Sequence, residues 1–462
     1  MKPKERIELQ ITATAQDGRG IARHEGLVIF VAGTLEGETV LAQVYTVHKT
    51  YATAGTIRIL KASPYRAESF CSALGACGGC PLGHITYEKQ LEIKKQTVLD
   101  ALVRLGKFDA STFEIEDTCG MNEPFRYRNK MVFPVGVTQG AVSGGFYAPR
   151  SHSLVVLSDC KAGEKAASAT LLCVTEFMNR KHIAPYDEKT KKGSIRRVFV
   201  RTGYHSKELM IVVSSATENV KNADELVTAL LAQDYGDYTL KSIILNVNHK
   251  PDNLVLGDKN ITLWGKDTIS DNLMGLCFSI SPHSFFQVNP EQTRVLYQKA
   301  LDFAELDANT TVLDIYCGIG TISLCAAKQA KHVIGVEIVD KAIEDAKENA
   351  KRNDISNAEF YCGAAENIVP ELIEKNLHPD VVIIDPPRKG SDEKTLSAIL
   401  AARPERIVYV SCNPATLARD ARYLADGGYT LTHVTPVDMF PNTEHIECAA
   451  VLVCPGDENA EN

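Results

Sequence analysis

The sequence predicts an α/β fold in which a Rossmann-like, doubly wound sheet is preceded by an α+β middle domain and a small OB-like β-barrel. Three observations lead to this prediction. Short strands separated by glycine-containing turns fill residues 5–60, strands and helices are mixed from 124 to 280, and strands alternate with helical stretches from about Ser281 onward. The predicted boundaries follow these changes of pattern: a barrel at 1–62, a middle domain at 63–280, a C-terminal domain at 281–455 and a disordered tail at 456–462.

The composition is that of a globular protein without a membrane span. Of the 462 residues, 44% are hydrophobic and 23% are charged, which excludes a largely disordered chain. No run approaches the roughly 20 apolar residues that a membrane helix needs, and the charged N-terminal residues do not resemble a signal peptide. We therefore expect a cytoplasmic protein with no membrane partner. The net charge of −8 leaves a nucleic-acid partner open, because a basic binding surface need only be local.

The first 60 residues alternate apolar and polar side chains with the period of β-strands. Turn signals at 16–20 and 35–38 separate the alternating runs. Several short strands with glycine-rich turns in so few residues are typical of a small closed barrel. The predicted strands are 7–11, 26–31, 39–44 and 54–60.

After the barrel, a cysteine-rich loop leads into an amphipathic helix predicted over 87–105. Its apolar stripe runs through Leu91, Val98, Leu102 and Leu105, at approximately helical spacing. We count this helix with the middle domain and expect it to pack on the C-terminal domain.

The segment 124–280 carries five predicted strands, two predicted helices and one cluster of basic side chains. The strands are 131–135, 198–201, 209–214, 242–247 and 261–263, and the helices lie near 164–180 and 218–233. The basic side chains are Lys189, Lys191, Lys192, Arg196, Arg197 and Arg201. They are equally compatible with a solvated loop surface and with contacts to RNA.

Beyond Ser281, five strands are each followed by a helical stretch, and two more strands follow with no helix between them. Five βα units closed by an antiparallel pair form the pattern of a doubly wound sheet. Ligands bind such sheets at the carboxyl ends of the strands. The predicted strands are 311–316, 332–337, 358–362, 380–385, 406–411, 429–438 and 446–453.

The first of these strands runs into a glycine turn that contains Gly318 and Gly320, and the second strand ends in Glu337. Two glycines allow a ligand to approach the backbone closely, and a carboxylate at Glu337 can accept hydrogen bonds from ribose hydroxyls. A glycine turn alone is also compatible with NAD, with flavin or with no ligand. The third glycine of the dinucleotide fingerprint is missing, because Leu324 stands there. Together with the antiparallel end, these features resemble class I S-adenosylmethionine-dependent methyltransferases.

Two later strands end in residues that carry reactive groups. The fourth ends in Asp-Pro-Pro at 385–387, followed by Arg388 instead of the aromatic residue found in amino-group methyltransferases. The fifth ends in Ser-Cys-Asn-Pro at 411–414, which places Cys412 beside a helix N-terminus, where the dipole favours a thiolate. A lone cysteine after a strand is more often a small buried hydrophobe. Cys412, however, shares the edge of the sheet with the glycine turn and with Asp385.

A nucleophile in a methyltransferase indicates a substrate that has to be activated first. Carbon 5 of a pyrimidine is such an atom, because it becomes nucleophilic only after a thiolate has added to carbon 6. A base must then remove the hydrogen at carbon 5, and Glu447, at the start of the final strand, is the candidate. In the preceding segment, we expect Phe285 to stack on an extruded base, Gln287 to hydrogen-bond at the site and Phe286 to lie in the core.

Taken together, the residues from Ser281 to Glu447 resemble the bacterial RNA uracil-5-methyltransferase family. The motifs Ser-Cys-Asn-Pro, Asp-Pro-Pro-Arg and Phe-Phe-Gln-Val-Asn carry this resemblance, which extends over essentially the whole chain. It implies that Cys412 is the nucleophile and Glu447 the base. It also implies a set of contacts to the cofactor or the uracil, made by Gln287, Tyr316, Glu337 and Asp385. Around the glycine turn, some members of the family have Phe and Asn where this chain has Tyr316 and Thr321. We therefore do not assign Thr321 as a ligand-binding residue.

Cys71, Cys77 and Cys80 form a dense thiol cluster in a glycine-rich loop, and Cys160 is the best candidate for a fourth ligand. Four thiolates suit either zinc or a [4Fe–4S] cluster, and the spacing leaves both open. The 23S ribosomal RNA branch of the family, which the chain resembles here too, implies a [4Fe–4S] cluster on matching cysteines. Since uracil methylation contains no redox step, we expect the cluster to have a structural or RNA-positioning role.

The sequence therefore predicts S-adenosylmethionine-dependent methylation of a uridine at carbon 5 in 23S ribosomal RNA. The barrel resembles a TRAM domain, an RNA-binding module. We expect a monomer whose barrel, middle domain and catalytic cleft all contact the RNA. A transfer-RNA methyltransferase of the same family is one alternative. The others are a non-catalytic ribosome-assembly factor, which would need neither Cys412 nor Glu447, a methyltransferase for DNA or a small molecule, and a flavin- and folate-dependent methylase.

Overall fold

The computed structural model describes residues 1–250 and 254–454. Within these residues, the chain forms three large sheets and one two-stranded hairpin. The tail predicted at 456–462 lies outside the described residues. Among the described helices, none has both the length and the apolar surface that crossing a lipid bilayer would require.

Six strands form the N-terminal sheet, which we call the barrel: β1 (Arg6–Gln10), β2 (Ala13–Thr14), β3 (Gly20–His24), β4 (Leu27–Ala32), β5 (Thr39–Val47) and β6 (Tyr51–Lys61). Their order across the sheet is β1-β5-β6-β4-β3-β2. Side chains alternate between solvent and a shared core, in which Leu9, Ile29 and Val40 are buried. The four predicted strands are present. The sequence prediction missed β3 because Gly20, its first residue, belongs to a run that reads as a turn.

One helix connects the barrel to the rest of the chain and packs on the C-terminal sheet. It comprises α1 (Tyr87–Asp100) and a following π-helical turn (Ala101–Leu105), after which comes the short strand β7 (Glu114–Ile115). Val98 and Leu102 are fully buried in a core that the C-terminal sheet largely forms. The predicted apolar stripe is wrong at its end, because Leu105 is 61% exposed. Lys94 is buried instead and pairs with Asp438.

Seven strands form the second sheet, which we call the middle sheet: β8 (Lys130–Thr138), β9 (Ala141–Tyr147), β10 (Leu154–Val156), β11 (Ile195–Thr202), β12 (Glu208–Ser215), β13 (Thr239–Val247) and β14 (Lys259–Gly265). Two helices accompany it, α2 (Lys165–Lys181) and α3 (Ala223–Leu231). The strand order is β10-β9-β8-β11-β12-β13-β14, and neighbours are antiparallel except β12 and β13. Both helices cover one face. The opposite face, which includes Val132 and Phe199, packs against the core of the C-terminal sheet.

Two members of the predicted basic cluster are not surface residues. Arg196 and Arg201 are 5% and 3% exposed, respectively. The guanidinium of Arg196 donates hydrogen bonds to the main-chain oxygens of Asn248 and Lys250, at 3.0 and 2.7 Å. For these two residues the solvated-surface interpretation is wrong, because both side chains are buried and each guanidinium donates to main-chain carbonyls inside the fold.

A hairpin, β15 (Ile269–Leu273) and β16 (Leu276–Ile280), leads into the C-terminal sheet. Its strands are β17 (Thr311–Ile315), β18 (His332–Glu337), β19 (Ala358–Cys362), β20 (Val381–Ile384), β21 (Arg406–Ser411), β22 (Thr430–Val437) and β23 (Glu447–Val453). The helices are α4 (Pro290–Ala304), α5 (Thr321–Ala327), α6 (Asp340–Arg352), α7 (Ala365–Glu374), α8 (Glu393–Ala402) and α9 (Pro414–Asp426).

The order of the C-terminal sheet is β19-β18-β17-β20-β21-β23-β22-β7. The first five strands are parallel, whereas β23 runs antiparallel to both β21 and β22. This is the doubly wound sheet with an antiparallel end that the sequence predicts. The order reverses between β17 and β20, which opens a crevice at the carboxyl ends of these strands. The edge strand β7, which pairs parallel to β22, was not predicted because it has only two residues.

Candidate active site

A cavity of about 580 Å³ lies at the carboxyl edge of the C-terminal sheet. Residues that follow β17, β18, β20 and β21 line it, together with the first residue of β23 and the segment before α4. Every residue that the sequence analysis proposed for catalysis, cofactor or substrate lines this one cavity: Phe285, Gln287, Tyr316, Gly318, Glu337, Asp385, Cys412 and Glu447. The shared direction of the parallel strands brings these distant parts of the sequence together.

The glycine turn after β17 holds the carboxylate of Glu337 in the cavity. The main-chain N–H of Gly318 donates to Glu337 at 3.2 Å, and the N–H of Val339 donates to the other carboxylate oxygen at 2.9 Å. Gly318 adopts φ +55° and a Cβ at this position would meet no atom within 4 Å, so the backbone leaves open space there. Gly320 adopts φ +79°, and a Cβ would come within 3.1 Å of Phe360. The turn therefore needs both glycines, the first for open space and the second for packing.

Two carboxyl groups lie buried near the glycine turn. Asp314, inside β17, accepts a hydrogen bond from the Ser323 hydroxyl with one oxygen, and in the described part of the chain the other oxygen has no hydrogen-bond partner. Burial raises its pKa to about 7, and Glu337 adds to the effect. Asp385 follows β20, and burial with the nearby Asp314 raises its pKa to about 7 as well. These groups exchange protons near neutral pH instead of remaining fixed charges.

Cys412 stands between β21 and α9, as the sequence predicts. Asn413 caps the helix, because its side-chain oxygen accepts from the N–H of Ala415 at 3.1 Å. The thiol pKa, however, is raised to about 11 by burial, and the carboxyl groups of Glu447 and Asp385 raise it further. The expectation that the helix dipole favours a thiolate is therefore wrong for the ligand-free protein, since burial and two carboxyl groups outweigh it. Arg388 is the group that opposes them and lowers the pKa of Cys412.

Glu447 is the first residue of β23, and its side chain is almost fully buried at the cavity wall. One carboxylate oxygen has no hydrogen-bond partner among the described residues. Burial raises the pKa of Glu447 well above its usual value, Asp385 raises it further and Arg388 lowers it. An unpartnered buried carboxyl that faces a cavity is available to exchange a proton with a ligand.

The segment before α4 places an exposed ring at the cavity. Phe285 is 62% exposed, whereas Phe286 is buried in the core as expected. Gln287 is buried, and its main-chain oxygen accepts a hydrogen bond from the Asn129 side chain at 3.0 Å. An exposed aromatic ring beside a cavity is suited to stacking on a planar ligand.

The cavity also contains residues that sequence reasoning missed, among them Tyr297, Phe440 and His445. Tyr297 lies in α4 and its hydroxyl is 3.0 Å from that of Thr321. Phe440 and His445 lie in the connection between β22 and β23, which begins and ends at the same edge as Glu447. That topology is the signal that would have identified them, because the connection before Glu447 has to cross the cavity edge.

The four candidate metal ligands lie near one another in space. Burial raises the pKa of the Cys80 thiol to about 12, and the thiols of Cys160, Cys77 and Cys71 raise it further, in that order. Arg126 holds Cys160 in place by donating to its main-chain oxygen at 2.9 Å and by pairing with Asp159. Within 1–250 and 254–454, no three Cys, His, Asp or Glu side chains converge as a single metal ion would require.

Comparisons with known proteins agree with this geometry. The family model described as tRNA (Uracil-5-)-methyltransferase matches residues 253–454, and the TRAM domain model matches residues 2–57. An uncharacterized RNA methyltransferase of Listeria monocytogenes is 44% identical over 98% of both chains. One from Halalkalibacterium halodurans is 45% identical over 96% of both chains.

A solved structure matches over nearly the whole chain. The tRNA (uracil-54, C5)-methyltransferase of Pyrococcus abyssi, in complex with S-adenosyl-L-homocysteine, has a TM-score of 0.77 and 26% identity, and the match covers 97% of this chain and 100% of that one. This confirms the predicted fold class. The chain is an RNA methyltransferase: it belongs to the RNA uracil-5-methyltransferase family and carries a TRAM domain at its N-terminus.

Proposed function

We propose that the protein methylates carbon 5 of a uridine in 23S ribosomal RNA, with S-adenosylmethionine as the methyl donor. One observation carries the proposal of the reaction: a cysteine thiol and an unpartnered buried carboxyl group, Cys412 and Glu447, face the same cavity. Methylation at carbon 5 needs both groups, whereas RNA binding alone needs neither.

The residues around the glycine turn suit the donor. Glu337 presents a carboxylate to ribose hydroxyls, and Gly318 leaves open space where a side chain would obstruct a ligand. When bound, S-adenosylmethionine supplies an electrophilic methyl group. Asp385 and Gln287 line the same cavity, and we assign them to contacts with the cofactor or the uracil.

In the proposed mechanism, the extruded uracil stacks on Phe285 and the sulfur of Cys412 adds to carbon 6. Addition places negative charge on the ring, and carbon 5 becomes the nucleophile that takes the methyl group. Glu447 then removes the proton from carbon 5, after which the bond from carbon 6 to sulfur breaks and Cys412 leaves as the thiolate.

Arg388 has a defined role in this sequence of steps. Its guanidinium lowers the pKa of both Cys412 and Glu447, so it stabilises the thiolate needed for addition and the carboxylate needed for deprotonation. This explains why arginine, with a charge that persists at any working pH, follows Asp-Pro-Pro here.

The reaction is tested with Glu447→Gln. The variant retains the nucleophile and lacks the base, so we expect a covalent, methylated RNA adduct that survives denaturing electrophoresis. Glu444→Gln, which removes a nearby carboxylate outside the cavity, is the matched control and should turn over without accumulating adduct. If Glu447→Gln yields no adduct with any RNA and Cys412→Ala keeps full activity, the assigned roles are wrong. A wild-type protein that binds RNA but transfers no methyl group would favour a non-catalytic RNA-binding function.

The substrate proposal, 23S rather than transfer RNA, is supported by the cysteine cluster and its resemblance to the ribosomal branch. Similarity to a tRNA enzyme over 97% of the chain favours transfer RNA as the second candidate. Both RNAs, isolated from cells that lack the gene, are incubated with methyl-labelled S-adenosylmethionine and digested to nucleosides. Labelled 5-methyluridine from 23S RNA supports our proposal, and label confined to transfer RNA contradicts the substrate assignment only.

We propose that Cys71, Cys77, Cys80 and Cys160 hold a [4Fe–4S] cluster. In a cluster each thiolate binds a different iron atom, so four thiols are held farther apart than around one zinc ion. The thiols of Cys160, Cys77 and Cys71 act electrostatically on that of Cys80, and the resemblance to the ribosomal branch favours the cluster over zinc. Anaerobically reconstituted protein should contain about four iron atoms per chain, and Cys160→Ser should lose them. Cys173→Ser is the matched control, and stoichiometric zinc in place of iron would contradict the proposal.

A further inference from the structure

Two cations lie side by side at the seam between the middle sheet and the C-terminal sheet. Lys130 on β8 is the direct cross-strand partner of Arg201 on β11. Both residues share the face of the middle sheet to which Val132 and Phe199 belong, and this face packs on the C-terminal core. Like charges directly opposite each other on a sheet destabilise it.

No anion within the described residues compensates this pair. In the parts of the chain that the structure describes, no carboxylate raises the pKa of either side chain, as an ion-paired acidic residue would. Burial lowers the pKa of Lys130 to about 8, and the positive charges of Arg201 and Arg128 lower it further. Arg201 is buried, its pKa is lowered to about 10 by burial, and its Nε has no hydrogen-bond partner among the residues that the structure describes. Uncompensated buried charge of this kind indicates a site for an anion.

The pair is connected directly to the segment that carries the base-stacking ring. The guanidinium of Arg201 donates to the main-chain oxygens of Ser284 at 2.9 Å and Ser281 at 3.2 Å. Next to Lys130, Asn129 donates to the main-chain oxygen of Gln287. The two cations therefore lie next to the segment that forms one wall of the active-site cavity.

We propose that Lys130, backed by Arg201, binds a phosphate of the RNA strand beside the extruded uridine. The inference rests on the proposed function, because it assigns the phosphate to the same RNA. When a base rotates out of a helix, its flanking phosphates stay on the strand and have to be held near the pocket. Phosphate contacts of this kind fix the position of a nucleic acid without reading its sequence.

The test is Lys130→Gln, with Lys331→Gln as the matched control. Both substitutions remove one positive charge, and Lys331 precedes β18 at the opposite edge of the sheet from the cavity. Binding of a fluorescent uridine dodecamer is measured by anisotropy at several KCl concentrations, in the Cys412→Ala background. We expect Lys130→Gln to bind about tenfold more weakly and to lower the slope of log affinity against log salt by about 0.7, the loss of one contact. Lys331→Gln should change neither quantity.

Two further measurements distinguish a contact with an RNA phosphate from a contact with the cofactor. With an unmethylated RNA that the wild-type protein methylates, Lys130→Gln should raise KM and leave kcat nearly unchanged. Calorimetric titration with S-adenosylhomocysteine should give wild-type affinity. Weaker binding of S-adenosylhomocysteine with an unchanged salt slope would assign the cations to the cofactor carboxylate and overturn the proposal. An unchanged slope, KM and cofactor affinity would also overturn it, whereas absence of methylation by the wild-type protein would contradict the proposed function.

Discussion

The buried ion pair between Lys94 and Asp438 is the interaction whose loss we expect to be most damaging outside the cavity. Both side chains are almost completely buried. Lys94 also donates to the main-chain oxygen of Phe440 at 3.0 Å, and the Tyr87 hydroxyl donates to Asp438 at 2.9 Å. Lys94→Met fills a similar volume but leaves a buried carboxylate with one hydroxyl donor. Breaking one side of a buried pair costs about 3–5 kcal/mol.

Differential scanning calorimetry measures this loss. In a cooperative unit of 150–250 residues, about 3–5 kcal/mol corresponds to a Tm decrease of about 6–20 °C. The neighbouring Lys95 supplies the control, because it pairs with Asp117, whose side chain is 98% exposed. Lys95→Met should lose no more than about 1 kcal/mol, as is usual for surface pairs.

The double variant Lys94→Met/Asp438→Asn tests the physical cause. It removes both charges and keeps an acceptor for Tyr87, so we expect it to be more stable than Lys94→Met alone. Hydrogen exchange of the 438–447 peptide should be faster in the single variant than in the double variant. A Tm for Lys94→Met within about 2 °C of wild type, which is less than 1 kcal/mol, would refute the reasoning, as would additive losses in the double variant.

Three other outcomes follow from the site. Glu447→Gln should increase alkylation of Cys412 by iodoacetamide at pH 9, measured by mass spectrometry of the peptide, because the Glu447 carboxylate raises the pKa of that thiol; an unchanged rate would contradict this coupling. The pKa of Asp385 is raised to about 7, so the folded state keeps a proton that the unfolded state releases above about pH 4. The Tm of the wild-type protein relative to that of Asp385→Asn should therefore fall as pH rises from 4 to 7. A Tm difference that stays constant over this range would contradict the assignment. Gly320→Ala should lower Tm more than Gly318→Ala, because only the new methyl group at position 320 meets Phe360. Gly318→Ala should instead weaken the binding of S-adenosylhomocysteine. Equal Tm losses in the two variants would refute the packing argument.

The sheet and its cavity could be predicted because their determinants are local. The four inner parallel strands, β17, β18, β20 and β21, are short apolar runs that are buried on both faces, and each leads to a recognisable group such as Gly318 or Asp385. Parallel direction alone then brings those groups to one edge. The sequence prediction consequently named eight residues that line the cavity without any knowledge of their distances, although it missed others such as Phe440 and His445.

Contacts between distant segments were not predictable in the same way. Lys94 stands on a helix face where a lysine ordinarily meets water, and nothing near it in the sequence indicates a partner 344 residues away. Arg201 reads as part of a basic surface run, yet it lies between two sheets. The pKa of Cys412 depends on carboxyl groups that come from two other strands, so a local dipole argument gives the wrong direction for it.

Cys412 and Glu447, the proposed catalytic pair, are held in place by different parts of the molecule. Cys412 is positioned by the end of β21 and by the cap of α9, both within the C-terminal sheet. The connection that leads to Glu447 is instead held by residues from other parts of the chain. Lys94 donates to the main-chain oxygen of Phe440, and the Tyr127 hydroxyl donates to that of Pro441 at 3.1 Å. The main-chain N–H of Leu82, in the cysteine loop, donates to the main-chain oxygen of Asn442 at 3.0 Å. The nucleophile thus depends on its own sheet, whereas the base depends on α1, the middle sheet and the cysteine loop. Disturbance of that loop should therefore affect deprotonation at carbon 5 more than addition at carbon 6, so adduct would accumulate.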